Sequence, residues 1–268
     1  MELGDRMKMY ERQEIDRILM PGLPAIVRLD GRAFHTFTKG LEKPYDFSLI
    51  ELMSEVAKSL VEETNALVGY TQSDEISLVL WNEDPKVQPY FGGRIQKITS
   101  ILASKATAEF NARLAKHFPQ KMNFLPLFDA RVFSVPTLEE AANCILWREQ
   151  DATKNSISMA AQAYFSHKSL NGLHSNELQE KLFSEAGVNW NHYPASAKRG
   201  SYFVKRQVER SFTTKEIEAL PAQHAARSNP NLKVVRSDVL RVEFPPLSSI
   251  ENRVGVLFFG EQPVIRTK

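Results

Sequence analysis

Between residues 25 and 135 the apolar residues change their spacing in one definite order, and that order restricts the fold more than any other feature of the chain. Ala25-Ile26-Val27-Arg28-Leu29 is a short apolar run of the kind a buried strand needs, and Asp30-Gly31 ends it. Leu49, Leu52, Met53, Val56, Leu60 and Val61 then recur at helical spacing between Ser48 and Thr64. Two short β-like runs follow, Leu67 to Thr71 and Ile76 to Trp81, and Gln72-Ser73-Asp74-Glu75 joins them as a tight hairpin. Past Pro85 and Pro89, the line Ile95, Ile98, Leu102, Ala106 and Phe110 marks a long helix from about Gly93 to His117. Phe128 to Val135 is strand-like again, and Pro136 closes the unit. Strand, helix, strand, strand, helix, strand is a βαββαβ order. The expected class is therefore α+β, with a ferredoxin-like sheet whose helices share one face.

The flanks are less patterned. Residues 2 to 19 are charged and helix-prone, and Pro21-Gly22 stops them. Residues 137 to 186 read as mainly helical. From Asn189 onward the chain is looser, with strands expected near Tyr202 to Lys205 and Val254 to Phe259. This gives two regions: 1–136, a catalytic domain, and 137–268, a helical and mixed C-terminal region. A chain of 268 residues that is 43% hydrophobic buries a sizeable core, which argues against disorder as the main state. Its formal charge of +2 means that a nucleic-acid partner must be held by a local basic patch. The single cysteine, Cys144, excludes an internal disulfide and a multi-thiolate metal site, and reads as apolar filler. The charged N-terminus lacks the apolar segment of a signal peptide, and no run approaches the roughly 18 apolar residues of a spanning helix. No membrane partner is expected, and cytoplasmic residence follows.

The chemistry concentrates in two turns. A ferredoxin-like sheet sets its first and third strands side by side, so Asp30 at the end of one meets Asp74 in the hairpin that opens the other. Each aspartate alone suits a turn for structural reasons. Their convergence is different, because two close carboxylates repel unless a divalent cation sits between them, and hard oxygen donors favour Mg²⁺. Two such ions can activate an attacking oxygen and neutralise a departing pyrophosphate. Gly31 allows a backbone carbonyl to approach a metal, and Glu75 stands ready as a direct or supporting catalytic group. Lys43, Arg94 and Lys97, with Arg28 and Arg32 beside the first aspartate, supply cations for a triphosphate, Arg94 and Lys97 at the start of a helix. Phe34 and His35 suit a base pocket or the core equally well. Lys198, Arg199, Lys205, Arg206 and Arg210 form a basic cluster that suits RNA phosphates or plain solvation. Trp147 and Tyr202 suit base stacking or the core.

Taken in order, Arg28-Leu29-Asp30-Gly31-Arg32-Ala33-Phe34-His35, Lys43-Pro44-Tyr45-Asp46, Gln72-Ser73-Asp74-Glu75, Arg94, Lys97, Phe128-Asp129-Ala130-Arg131-Val132, Trp147-Arg148 and Lys198-Arg199-Gly200 resemble the tRNA-histidine guanylyltransferase family over about residues 10 to 205. The resemblance implies a polymerase palm-like catalytic domain, two Mg²⁺ ions and a homotetramer. It implies activation of an RNA 5′-monophosphate with ATP, then attack by the 3′-hydroxyl of an incoming nucleoside triphosphate, GTP among them, so that tRNA grows in the 3′ to 5′ direction. Carried over, Asp30, the Gly31 carbonyl and Asp74 hold metal, with Ser73 and Glu75 in support. His35, Lys43, Arg94 and Lys97 contact nucleotide, and Arg148, Asn155, Lys198 and Arg199 contact RNA.

One stretch departs from the family. Where members dedicated to tRNA-histidine carry His-Ile-Asn-Asn, this chain has Thr153-Lys154-Asn155-Ser156. A threonine lacks the imidazole's proton chemistry and stacking surface. The pattern is similar to the guanylyltransferase-like branch, implied to repair truncated tRNA 5′ ends against a template. Two other readings share the scaffold: a palm-type signalling-nucleotide cyclase, which needs no RNA, and a non-catalytic RNA-binding module, whose mark would be a lost metal carboxylate.

Overall fold

The computed structural model describes residues 1–84, 86–229 and 231–267, so Pro85, read above as a break, lies outside it. The elements run α1 (Leu3–Ile15), β1 (Ala25–Arg32), α2 (Phe34–Phe37), α3 (Phe47–Thr64), β2 (Val68–Gln72), β3 (Glu75–Leu80), α4 (Ile95–His117), β4 (Leu127–Ser134), α5 (Leu138–Tyr164), α6 (His167–Leu170), α7 (Ser175–Ala186), α8 (Ala195–Arg199), β5 (Ser201–Ser211), α9 (Thr214–Ala219), α10 (Ala225–Ser228) and β6 (Lys233–Val242). Each element of the expected βαββαβ order is present, within a few residues of its sequence boundaries.

The strands form a single antiparallel sheet in the order β4-β1-β3-β2-β5-β6. Its first four members are the 4-1-3-2 core of a ferredoxin-like fold. Asp46 starts α3 by accepting from the Leu49 N–H at 3.0 Å, and α3 then lays Leu52, Val56 and Leu60 on the sheet. With α4 it covers one face, burying Val27, Leu29, Ile76 and Leu78. Helix α5 covers the opposite face, against Ile26, Val68, Tyr70 and Val79. The helices of the ferredoxin-like core thus share one face, and α5 adds a third layer.

Past residue 136 the sheet continues, because β5 pairs with β2 from Ser201 to Val204. Gly200 makes this approach possible: its φ is +85°, and a Cβ there would lie 2.5 Å from the Thr71 carbonyl oxygen. One expectation is corrected. The run Val254 to Phe259 is a short helical turn at Gly255–Phe259, with Val256, Leu257 and Phe258 buried. An apolar run buried all round shows neither strand nor helix period, so its spacing misleads.

Candidate active site

Strands β1 and β3 pair with Asp30 opposite Glu75, and β4 adds Asp129 on the other side of Asp30. The hairpin turn holds Ser73 at φ 50°. The Gly31 N–H donates to the Asp74 carbonyl oxygen at 3.0 Å, locking the end of β1 to that turn. Asp30 and Asp74 therefore share one cleft, of about 410 Å³, with Ser73, Asn155, Met159 and Gln162. Gly31 has a packing reason as well, since a Cβ would lie 2.3 Å from the Phe34 ring. Phe34 belongs to the core, edge-on to Phe110 and Phe128, and its neighbour His35 is exposed.

Burial pushes the Asp74 carboxyl up, against the effects of its own N–H and the Ser73 hydroxyl, and the charge of Asp30 pushes the same way. The cation reaching Asp30 is Arg131, at 4.0 Å. A partly buried carboxylate facing a second carboxylate is the situation a divalent cation relieves. The donor set of two carboxylates and the Gly31 carbonyl is all oxygen, which fits Mg²⁺, an ion that binds through one or two carboxylates and completes its shell with water and substrate phosphates. Among the described residues no cluster of three or more His, Cys, Asp or Glu forms a metal site.

Glu75 and Arg148 are paired with each other. Both side chains are 11% exposed, and Arg148 donates from Nε and Nη2 to the two Glu75 oxygens at 2.6 and 2.7 Å. Arg148 also reaches Asp151 at 3.0 Å. With its carboxylate gripped on both oxygens, Glu75 ties the turn to α5, and the Nε and Nη2 donors of Arg148 are spent on Glu75 and Asp151.

The cationic residues divide by place. Arg28 lies two residues before Asp30 on the same face of β1, its guanidinium 5.3 Å from the centre of the Trp147 ring. Arg32 is exposed at the end of β1. Lys43 lines a second pocket of about 280 Å³ with Asp46, Ser156 and Ser73, and Ser73 also belongs to the Asp30 cleft. Tyr45 closes this pocket onto α5 by donating to the Ser156 carbonyl oxygen at 2.6 Å. Burial pushes its pKa up to about 12, so it stays a donor at neutral pH.

Arg94 and Lys97 lie apart from the cleft of their own chain. The Leu19 N–H, just ahead of β1, donates to the Gly93 carbonyl, which puts the start of α4 at the end of the sheet opposite Asp30. Helical spacing shows which face a residue occupies but not which end of the sheet. The basic cluster also breaks up. Lys198 donates to the Asn191 carbonyl at 2.6 Å, and Arg210 binds Glu216 and Asp238. Arg199 is half-buried, its carbonyl accepting from Tyr70 at 2.8 Å, and Asn155 stays exposed on α5. Tyr202 is core and Trp147 is 52% exposed, which resolves the two aromatic alternatives in opposite directions.

Sequence reasoning missed Asp129 and Arg131 as site residues. Their signal was the alternation of charge within an apolar run, Leu127-Phe128-Asp129-Ala130-Arg131, once β4 is set beside β1.

A 4-1-3-2 palm-like sheet with two carboxylates converging at the end of its central strands is a scaffold on which nucleotidyltransferases are built. The family model for tRNAHis guanylyltransferase matches residues 4–136. The tRNA(His) guanylyltransferase of Saccharomyces cerevisiae is 33% identical over 215 residues, spanning 74% of this chain and 89% of that protein. That of Schizosaccharomyces pombe is 31% identical, spanning 77% and 81%. A bacterial tRNA(His) guanylyltransferase-like protein solved in complex with ATP superposes with a TM-score of 0.72 at 44% identity, covering 76% of this chain and 87% of that one. A bacterial tRNA(His) guanylyltransferase-like protein in complex with GTP gives 0.65 at 40% identity, covering 76% and 86%. The chain belongs to the tRNA(His) guanylyltransferase family, and it is accordingly a tRNA nucleotidyltransferase.

Proposed function

We propose that this enzyme activates the 5′ end of tRNA and adds nucleotides to it in the 3′ to 5′ direction, following the opposing base, and that its role is tRNA 5′-end repair in the cytoplasm. No helix of the described residues is long and apolar enough to cross a membrane. The observation that carries the reading is the convergence of Asp30 and Asp74 in one cleft, with burial and the charge of Asp30 acting against ionisation of Asp74.

In this reading Asp30, the Gly31 carbonyl and Asp74 hold two Mg²⁺ ions, which when bound supply positive charge for an attacking oxygen and a departing pyrophosphate. Ser73, exposed between the metal cleft and the Lys43 pocket, orients phosphate from the turn. Lys43 and His35 face one side of a nucleoside triphosphate, ATP or GTP, and Arg28 and Arg32 the other. Asn155, Lys198 and Arg199 approach the RNA, and the region 137–268 contributes RNA binding and assembly toward a homotetramer.

The test presents 5′-monophosphorylated tRNAs lacking their first nucleotide, with each nucleoside triphosphate separately. Addition is expected to follow the opposing base and to vanish in Asp30→Ala and Asp74→Ala, both still folded by circular dichroism. Substantial addition by both variants removes the mechanism. Product formed from nucleoside triphosphates without RNA points instead to a cyclase.

A further inference from the structure

The cleft of Asp30 and Asp74 and the pocket of Lys43 meet along one border. Four residues line both, Gln72 and Ser73 from the β2–β3 hairpin and Met159 and Gln162 from α5. Met159 and Gln162 are three residues apart and so stand on one side of their helix, across the border from the hairpin. None of the four is charged, while the carboxylates lie to one side of them and Lys43 to the other. Hydroxyls nearby bond within their own elements: Thr71 Oγ1 donates to the Glu75 carbonyl at 2.8 Å and Ser158 Oγ to the Lys154 carbonyl at 3.1 Å. Among the described residues the carboxamides of Gln72 and Gln162 have no hydrogen-bond partner, and Gln162 is exposed.

The Lys43 pocket beyond that border is furnished differently. Tyr45 gives its hydroxyl to the Ser156 carbonyl, Ser156 gives its own to the Lys198 carbonyl, Thr38 bonds to the Phe34 carbonyl at 3.0 Å, and Asp46 caps α3. With these groups committed, much of the remaining wall is apolar, from Leu41, Pro44 and Leu49 to Ala163. Such a wall holds a flat ring by contact and leaves its hydrogen-bonding edge free. A nucleoside triphosphate with its base there and its phosphates at the carboxylates places its ribose at the shared border. A carboxamide both donates and accepts, and so does each hydroxyl of a ribose. Two unpartnered glutamines therefore match a vicinal diol, where a lysine would match phosphate and a carboxylate a metal ion.

We propose that Gln162, with Gln72 across from it, holds the 2′- and 3′-hydroxyls of the nucleotide's ribose, so that the protein selects the nucleotide by its sugar. The inference rests on the nucleotide reading above, in which the 3′-hydroxyl of the incoming nucleotide attacks the RNA 5′ end. A ribose held at the border aims that hydroxyl into the cleft of Asp30 and Asp74. Gln162 keeps its contact with water when the 2′-hydroxyl is missing, which sets the discrimination at about tenfold rather than the far larger factor of a fully buried site.

The test compares ATP with 2′-deoxyATP in two ways. One is addition opposite a template uridine to an RNA whose 5′ end is already triphosphorylated, so that no activation step intervenes. The other is binding without RNA, by equilibrium dialysis in the presence of Mg²⁺. The wild type is expected to favour ATP about tenfold in kcat/KM and in Kd. Gln162→Met keeps the length of the side chain without its donor or acceptor. It is expected to bring ATP down to the level of 2′-deoxyATP while changing 2′-deoxyATP by less than about twofold, and Gln72→Met to act in the same direction. Lost packing alone would lower both nucleotides together. A wild type that does not distinguish the two, or a Gln162→Met protein that loses both equally or keeps the wild-type preference, overturns the proposal. A binding preference that Gln162→Met abolishes, in an enzyme that adds no nucleotide, removes the polymerase reading and upholds the sugar contact. Addition without a sugar preference removes the sugar contact alone.

Discussion

Arg148 holds Glu75 through two parallel hydrogen bonds, from Nε at 2.6 Å and from Nη2 at 2.7 Å, and so ties α5 to the strand that follows the catalytic turn. Both side chains are nearly buried, so removing one partner leaves the other charged without compensation. Glu75→Ala and Arg148→Ala are each expected to cost about 3 kcal/mol of stability. The double substitution should cost clearly less than their sum in urea unfolding. Additive losses would show that the pair is not coupled.

Glu149, the next residue on α5, lies buried between two donors, the Tyr202 hydroxyl at 2.5 Å and the Leu247 N–H at 2.8 Å. Burial pushes its carboxyl up, outweighing both donors. A carboxyl whose folded pKa is raised contributes stability that is complete below the ordinary carboxylate range and lost as pH rises through the raised value. Glu149→Gln, which keeps an acceptor for Leu247, removes that dependence. The stability of Glu149→Gln relative to wild type should therefore rise between pH 4 and pH 7. Glu149→Leu leaves both donors bare and should cost about 1–3 kcal/mol for each.

Gly31→Ala puts a Cβ against the Phe34 ring, 2.3 Å away before any adjustment. The ring is wedged among Phe37, Phe110 and Phe128 and cannot withdraw freely. A loss of about 1–3 kcal/mol in thermal or urea unfolding is expected, together with reduced nucleotide addition, because β1 must shift beside Asp30.

Lys121 is buried, donating to the Phe37 carbonyl at 2.6 Å and the Lys39 carbonyl at 3.0 Å, with its ammonium 4.9 Å from the centre of the Phe124 ring. It secures the end of α2, which carries His35. Lys121→Met is expected to raise KM for the nucleoside triphosphate several-fold while changing kcat little. An unchanged KM would separate this lysine from the nucleotide side of the cleft.

The core was legible because its strands and helices change period sharply, from Ile26 to Val132, and because two aspartates stood in turns that only one sheet order brings together. Longer-range relations were not legible. The 3.6-residue period placed Arg94 and Lys97 on one face of α4 but could not show which end of the sheet that face meets. The Arg148–Glu75 pair was not legible because the two residues lie 73 apart in the chain. β6 escaped detection because Lys233, Arg236, Asp238 and Arg241 interrupt any apolar alternation on a ribbon that pairs along one side, with β5.

Ser156 receives Tyr45 on its carbonyl and gives its hydroxyl to the Lys198 carbonyl at 2.9 Å. One residue is thus a junction between the segment that would close over a base and the short helix that would face an acceptor stem. Movement of either segment pulls on the same peptide of α5. Binding of the two substrates is therefore expected to be coupled, which a lower apparent Kd for tRNA at saturating nucleoside triphosphate would show.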